Sequence, residues 1–143
     1  MNIETAIKKA FLDLKNKNIE SALLDSEILM SKVLKEDRGS VLLNSERPLS
    51  KQDYKKFREL ISDRIKYKPI AYLIGEKSFW KYEFKINSKV LIPRPDTELI
   101  VEQVLKIYKN KPKIKFLEVG VGSGCLILSI LKERKLFLGV GVD

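Results

Sequence analysis

Histidine is absent from the chain and cysteine occurs once, at Cys125. With no imidazole to serve as base, a cysteine or serine nucleophile has no partner, and without histidine or clustered cysteine no metal site is legible. Cys125 sits in an apolar run and reads as a small buried hydrophobe. It can form no internal disulfide, so a reducing, cytoplasmic setting is expected. Long apolar runs are missing too: no stretch approaches the roughly 20 residues of a membrane span, and Met1-Asn2-Ile3-Glu4 lacks the layout of a signal peptide. No internal repeat or low-complexity segment appears.

What is present is a balanced globular composition, 44% hydrophobic and 33% charged over 143 residues, enough for one domain or for one small domain and part of another. The net charge is +9. Residues 1–70 carry 15 basic and 11 acidic side chains and residues 71–143 carry 13 and 8, so the excess reads as spread along solvated helix faces rather than concentrated. It is compatible with work near RNA or ribosomes.

The N-terminal half has helical periodicity throughout. Ile3, Ala6, Ile7, Ala10, Phe11 and Leu14 fall on one face. A second helix is expected from about Ser21 to Leu34, with Leu24, Ile28, Leu29 and Val33 on its apolar side, and a short helical turn at Val41-Leu42-Leu43. Ser50 is placed as the N-cap of a helix whose buried stripe is Tyr54, Phe57, Leu60, Ile61 and Ile65, and Pro69 ends it or opens a short helix through Ile74. Residues 1–74 are therefore expected to form an all-helical bundle with no chemical constellation inside it.

Gly75 marks a change of architecture. Ser78 to Ile86 is rich in aromatics and partly alternating, which predicts a strand; a turn at Asn87-Ser88 and a second strand Lys89–Ile92 would complete a hairpin. Pro93-Arg94-Pro95 is rigid and extended. Asp96 is placed to cap a helix with face Ile100, Val101, Val104, Leu105 and Tyr108, stopped at Asn110-Lys111-Pro112.

The stretch with the clearest chemical meaning is Phe116-Leu117-Glu118-Val119-Gly120-Val121-Gly122-Ser123-Gly124. The bias of Ile114, Phe116, Leu117 and Val119 predicts a buried strand, three glycines spaced two apart predict a tight loop, and Cys125 to Leu131 predicts a covering helix. A second apolar run, Leu136 to Val142, ends on Asp143, so the unit reads as a parallel strand–loop–helix–strand crossover. Glycine in such a loop accepts positive φ and lets a ligand approach the backbone. Asp143 lies 19 positions after Gly124, near the spacing at which a carboxylate accepts hydrogen bonds from ribose hydroxyls. The Gly-x-Gly-x-Gly spacing, with Glu118 two residues ahead, differs from the dinucleotide fingerprint and suits adenosylmethionine better than NAD. An ordinary glycine turn between strand and helix has the same pattern; the acid at the next strand end is what favours a nucleoside ligand.

With Gly75-Glu76, Phe79-Trp80, Leu91-Ile92-Pro93-Arg94-Pro95-Asp96-Thr97-Glu98 and the glycine loop in that order, and Pro69 to Gly75 ahead of them, the whole chain resembles the HemK/PrmC family of methyltransferases. The resemblance implies an α/β protein: a helical substrate-recognition domain over 1–74, a β-hairpin linker over 75–95, and over 96–143 the start of a Rossmann-like class I methyltransferase domain. It implies transfer of a methyl group from S-adenosylmethionine to the side-chain amide nitrogen of a glutamine in peptide-chain release factors. By position, Gly120, Val121, Gly122, Ser123 and Gly124 would form the cofactor loop and Asp143 would bind the ribose. Glu118 takes the place of an acid that is more often Asp, and Pro93-Arg94-Pro95 would border the active site.

The family's Asn-Pro-Pro-Tyr signature is absent, since the prolines are 48, 69, 93, 95 and 112 and none follows an asparagine. The expectation is therefore an N-terminal portion of the enzyme, inactive alone, with the edges Ile114–Leu117 and Leu136–Leu138 unpaired and poor order after about residue 110. Two other readings remain open: a DNA or RNA amino-group methyltransferase, which shares the glycine loop, and a non-catalytic module that docks on release factor or RNA.

Overall fold

A computed structural model describes all residues, Met1–Asp143, and separates into two compact units, Met1–Ile74 and Gly75–Asp143. The first is built from five helices: α1 (Ile3–Lys15), α2 (Ala22–Leu34), α3 (Arg38–Leu43), α4 (Lys51–Ile65) and α5 (Ile70–Ile74). Three begin on side-chain caps that satisfy first-turn amides. Asn2 accepts from the Thr5 amide at 2.9 Å, Asp37 from Ser40 at 3.0 Å and Ser50 from Asp53 at 3.0 Å. Hydrogen bonds from the Ser40 hydroxyl and amide hold the Asp37 carboxyl below its ordinary pKa. The core joins Ile3, Ala6, Ala10 and Leu14 of α1 to Leu29 and Met30 of α2, Val41 of α3, and Phe57 and Ile61 of α4.

The buried face of α2 departs from the expected stripe. Leu24 is exposed, whereas Asp25 and Glu27 are buried. This helix packs on α1, α3, α4 and α5, so its buried arc is wider than an apolar stripe and takes in two acids. Each is neutralised by an arginine from another helix: Arg64 Nε donates to Asp25 at 2.7 Å and Arg38 Nε to Glu27 at 2.6 Å. Buried acids require such partners. Similarly, α3 starts at Arg38 rather than Val41, because Asp37 caps it one turn earlier than apolar residues alone indicate.

The second unit opens with an antiparallel hairpin, β1 (Glu76–Phe79) and β2 (Tyr82–Lys85), with Phe79 opposite Tyr82. The turn is therefore at Trp80-Lys81, not at Asn87-Ser88, and Lys89–Ile92 is not a strand. Trp80 occupies φ 56°, a conformation unfavourable for a bulky residue, and tertiary bonds hold it there. Its amide donates to Glu98 at 2.9 Å and its indole Nε1 to Glu133 at 2.9 Å. Asn87 instead forms a local turn, its side chain accepting from the Lys89 amide at 2.9 Å.

After a 3-10 turn at Pro95–Thr97 come α6 (Glu98–Ile107), β3 (Lys115–Val119), α7 (Cys125–Glu133) and β4 (Leu138–Val142). Asp96 lies inside the 3-10 turn and does not cap α6, whose N-cap position is Thr97 without a side-chain bond. Strands β3 and β4 pair in parallel, Lys115 opposite Leu138 through Val119 opposite Val142, with α7 as the crossover.

Only one face of this sheet is covered, which corrects the expectation of a fully buried strand. Phe116 and Glu118 alternate with Leu117 and Val119, and the latter pair is 61% and 77% exposed. Leu138, Val140 and Val142 are exposed on β4, while Gly139 and Gly141 lie under α7. A Cβ on Gly139 would stand 2.8 Å from the Phe116 ring and 2.9 Å from Ile127, and one on Gly141 would stand 2.7 Å from Val121. Glycine at alternate positions of β4 therefore lets α7 and the loop lie directly on the strand. No helix in the molecule is long and apolar enough to cross a membrane.

Candidate functional site

The glycine loop is fixed at its base and open at its tip. The amides of Gly120 and Val121 both donate to the Val142 carbonyl, at 2.7 and 3.2 Å, tying the end of β3 to the end of β4. The Gly124 amide donates to Val121 at 2.8 Å, and Gly124 then serves as the N-cap position of α7. Gly120, Gly122 and Gly124 have φ of 78°, 50° and 74°, so each adopts the left-handed conformation that L side chains disfavour. A Cβ on Gly120 or Gly122 would meet nothing within 4 Å. These two glycines are thus required by backbone conformation, and the space beside them is free.

Gly124 cannot cap α7 with a side chain, and Glu118 does so from the preceding strand. Its Oε2 accepts from the Ile127 amide, in the first turn of α7, at 2.9 Å. Burial raises the Glu118 pKa, and this hydrogen bond pulls it the other way. The second carboxylate oxygen makes no hydrogen bond within the chain.

Around the loop lies a pocket of about 150 Å3. It is lined by Glu118, Gly120, Val121, Gly122 and Ser123 together with Leu91, Ile92, Pro93 and Arg94. The structure thus brings together five of the seven residues singled out from sequence and sets the proline–arginine segment against them. It does not bring in the other two. Gly124 is buried beneath Leu128, and Asp143 is exposed just past β4, adjacent to the Val142 carbonyl that anchors the loop but outside the pocket wall. Thr97 and Cys125 also line the pocket. Cys125 is half-buried and lines this space, where a small buried hydrophobe is expected from the sequence. Its position as first residue of the helix after the last glycine was the available signal.

Residues 5–75 match the model of the PrmC N-terminal domain. Across the chain, similarity extends to proteins named release factor glutamine methyltransferase. That of Buchnera aphidicola subsp. Schizaphis graminum is 41% identical over 144 residues, covering 100% of this chain and 51% of the relative. That of Leptospira interrogans is 42% identical over 135 residues, 94% and 47%, and that of Caulobacter vibrioides 32% over 130 residues, 91% and 45%. The chain belongs to the HemK/PrmC family. It spans about half the length of the curated relatives it matches. In this HemK/PrmC chain the family model covers the helical unit, and the glycine loop lies outside that match, in the part aligned with the release factor glutamine methyltransferases.

Proposed function

We propose that the chain supplies the recognition unit and one wall of the cofactor site of a protein-glutamine methyltransferase that uses S-adenosylmethionine and acts in the cytoplasm on peptide-chain release factors. On this reading residues 1–74 hold the protein substrate, 75–95 form the hairpin segment, and 96–143 carry the cofactor loop. The observation that carries it is the pair of glycines with positive φ and free space beside them, facing an acid and a proline-rigid strap.

The residues fit adenosylmethionine. The amides of Gly122 and Ser123 have no partner within the chain and can donate to its carboxylate. Glu118 would offer its second oxygen to the ammonium group, and we assign Asp143, beyond the anchored end of β4, to the ribose hydroxyls. The cofactor, when bound, supplies an electrophilic methyl on a sulfonium. Gly120 and Val121 shape the seat, while Ile92 and Pro93 line it and keep water from that part of it.

At about 150 Å3 the pocket is smaller than the roughly 300 Å3 or more of complete small-molecule sites. Beside the unpaired edge of β3 an apolar groove of about 490 Å3 remains open between Ile100, Val104 and Phe116. Both features support a site that is one wall of a larger pocket. No residue of this chain is assigned the step that orients the target amide, because Asn-Pro-Pro-Tyr is absent from it. Amide nitrogen is a poor nucleophile, so that step depends on positioning.

Isothermal titration tests the reading. The chain should bind S-adenosylmethionine, Gly122→Val should weaken binding at least tenfold, and no methyl should reach purified release factor. Absence of any adenosylmethionine binding would falsify the cofactor assignment, and methyl transfer by this chain alone would overturn the one-wall account.

A further inference from the structure

At the opposite end of β3 from the glycine loop, the fold gathers a charge that the sequence spaces out. Lysines alternate through Lys109, Lys111, Lys113 and Lys115, and Lys132 in the last turn of α7 is followed by Arg134 and Lys135 in the α7–β4 connection. Folding brings the two connections side by side: the Leu138 amide donates to the Ile114 carbonyl at 2.9 Å. Between them runs an open groove of about 470 Å3 whose walls include Lys109, Lys111, Arg134 and Lys135. Both connections are held by backbone turns, Lys111 to Tyr108 at 3.0 Å and Phe137 to Arg134 at 2.9 Å, so the cations are presented on fixed scaffolding. The reading of evenly spread charge therefore fails for this unit.

The groove has no free acid. Its one carboxylate, Glu133, accepts from Trp80, Tyr82 and Lys81. None of Lys109, Lys111, Arg134 and Lys135 is in a salt bridge, and the three lysines are exposed. Complementing helix dipoles accounts for part of the pattern, since α6 and α7 both end here. Lys106 and Lys132 lie in their last turns and suffice for that role. The lysines beyond the helix ends are in excess.

We propose that this groove docks the phosphate backbone of RNA. Its chemistry favours phosphate over a protein partner. Protein interfaces are depleted in lysine and anchored by aromatic residues and arginine, whereas this groove has three lysines to one arginine, with Leu136 as its exposed apolar side chain. No aromatic side chain lines it, so it holds backbone rather than stacking bases, and sequence preference is not expected. Lys115 and Val119, the ends of β3, are about 13 Å apart at roughly 3.3 Å per residue, so the groove and the glycine loop lie at opposite ends of the strand. The proposal is independent of the cofactor assignment.

Fluorescence anisotropy of the whole chain with a short labelled oligouridine tests it across a salt series. Four cations at about −0.7 per phosphate give an expected slope of about −3 in log affinity against log salt. The triple variant Lys109→Glu, Lys111→Glu, Lys135→Glu should lose at least tenfold in affinity and flatten the slope by about 0.7 per cation removed. A control of equal charge on the helical unit, Lys9→Glu, Lys17→Glu, Lys55→Glu, should lose less than threefold. If circular dichroism shows the groove variant misfolded, Lys→Gln at the same three positions is read instead, with the same expected direction. No binding of oligouridine, equal loss in groove and control variants, or tighter binding of polyglutamate than of oligouridine would each overturn the proposal.

Discussion

The helical unit closes on itself and the glycine-loop unit does not. In residues 1–74 each buried acid meets an arginine, and the core runs unbroken from Ile3 to Leu73. In residues 75–143 a two-stranded sheet is covered on one face by α6, α7 and the hairpin, while Leu117, Val119, Leu138, Val140 and Val142 are open to solvent. Two parallel strands with one apolar face uncovered are a marginal structure by themselves. A recognition surface can be built from a finished core, whereas a ligand loop needs only a fixed base and a free tip, which the open sheet still provides.

Substitutions should sharpen this contrast. Phe57→Ala empties a fully buried site in the closed core and should cost about 3–5 kcal/mol, read by chemical denaturation of the helical signal. Gly139→Ala drives a methyl into Phe116 and Ile127 on the covered face of the sheet and should cost about 1–3 kcal/mol. Val140→Ser, one residue away but on the open face, should change stability by about 0.5 kcal/mol or less. Equal costs at 139 and 140 would break the two-faced description.

A pH effect, smaller than the core substitutions, separates the units further. Hydrogen bonds from Trp80 and then Lys81 lower the Glu133 pKa below its ordinary 4.5. Its stabilisation is therefore complete above that value and is lost as pH falls through the lowered folded value. Glu118, raised by burial, runs the other way: its contribution is present below the ordinary value and lost as pH rises through the raised one. Trp80 is the chain's single tryptophan, so its fluorescence reports the hairpin lock directly. Acidification below about pH 4.5 should shift that signal before the helical signal changes, and Glu133→Gln should remove the shift.

Much of this was legible in the residues. Periodicity places α1 and α4, the apolar run after the glycines places the crossover α7, and Ser50 caps α4 as its side chain suggests. Glycine spacing locates the loop whose backbone conformation requires it. Other features depend on partners distant in sequence and leave no local mark. The hairpin turns at Trp80 because Glu98 and Glu133 hold it, although no turn residue stands there. Helix α2 buries Asp25 because Arg64, 39 positions away, neutralises it. Gly139 and Gly141 matter because Ile127 and Val121 lie directly against them, a contact that their own neighbours in the sequence do not reveal. The basic groove exists only once two separate connections meet, so counting charges along the chain conceals it.

Hydrogen exchange on the whole chain, with and without S-adenosylmethionine, tests the central claim most directly. Amides of α1, α2 and α4 should be the most protected and those of β3 and β4 among the least. Saturating S-adenosylmethionine should slow exchange at Gly122, Ser123 and the two strands and leave the helical unit unchanged. Slowing by S-adenosylmethionine confined to the helical unit, or no change between Lys115 and Val142 on its addition, would contradict the account.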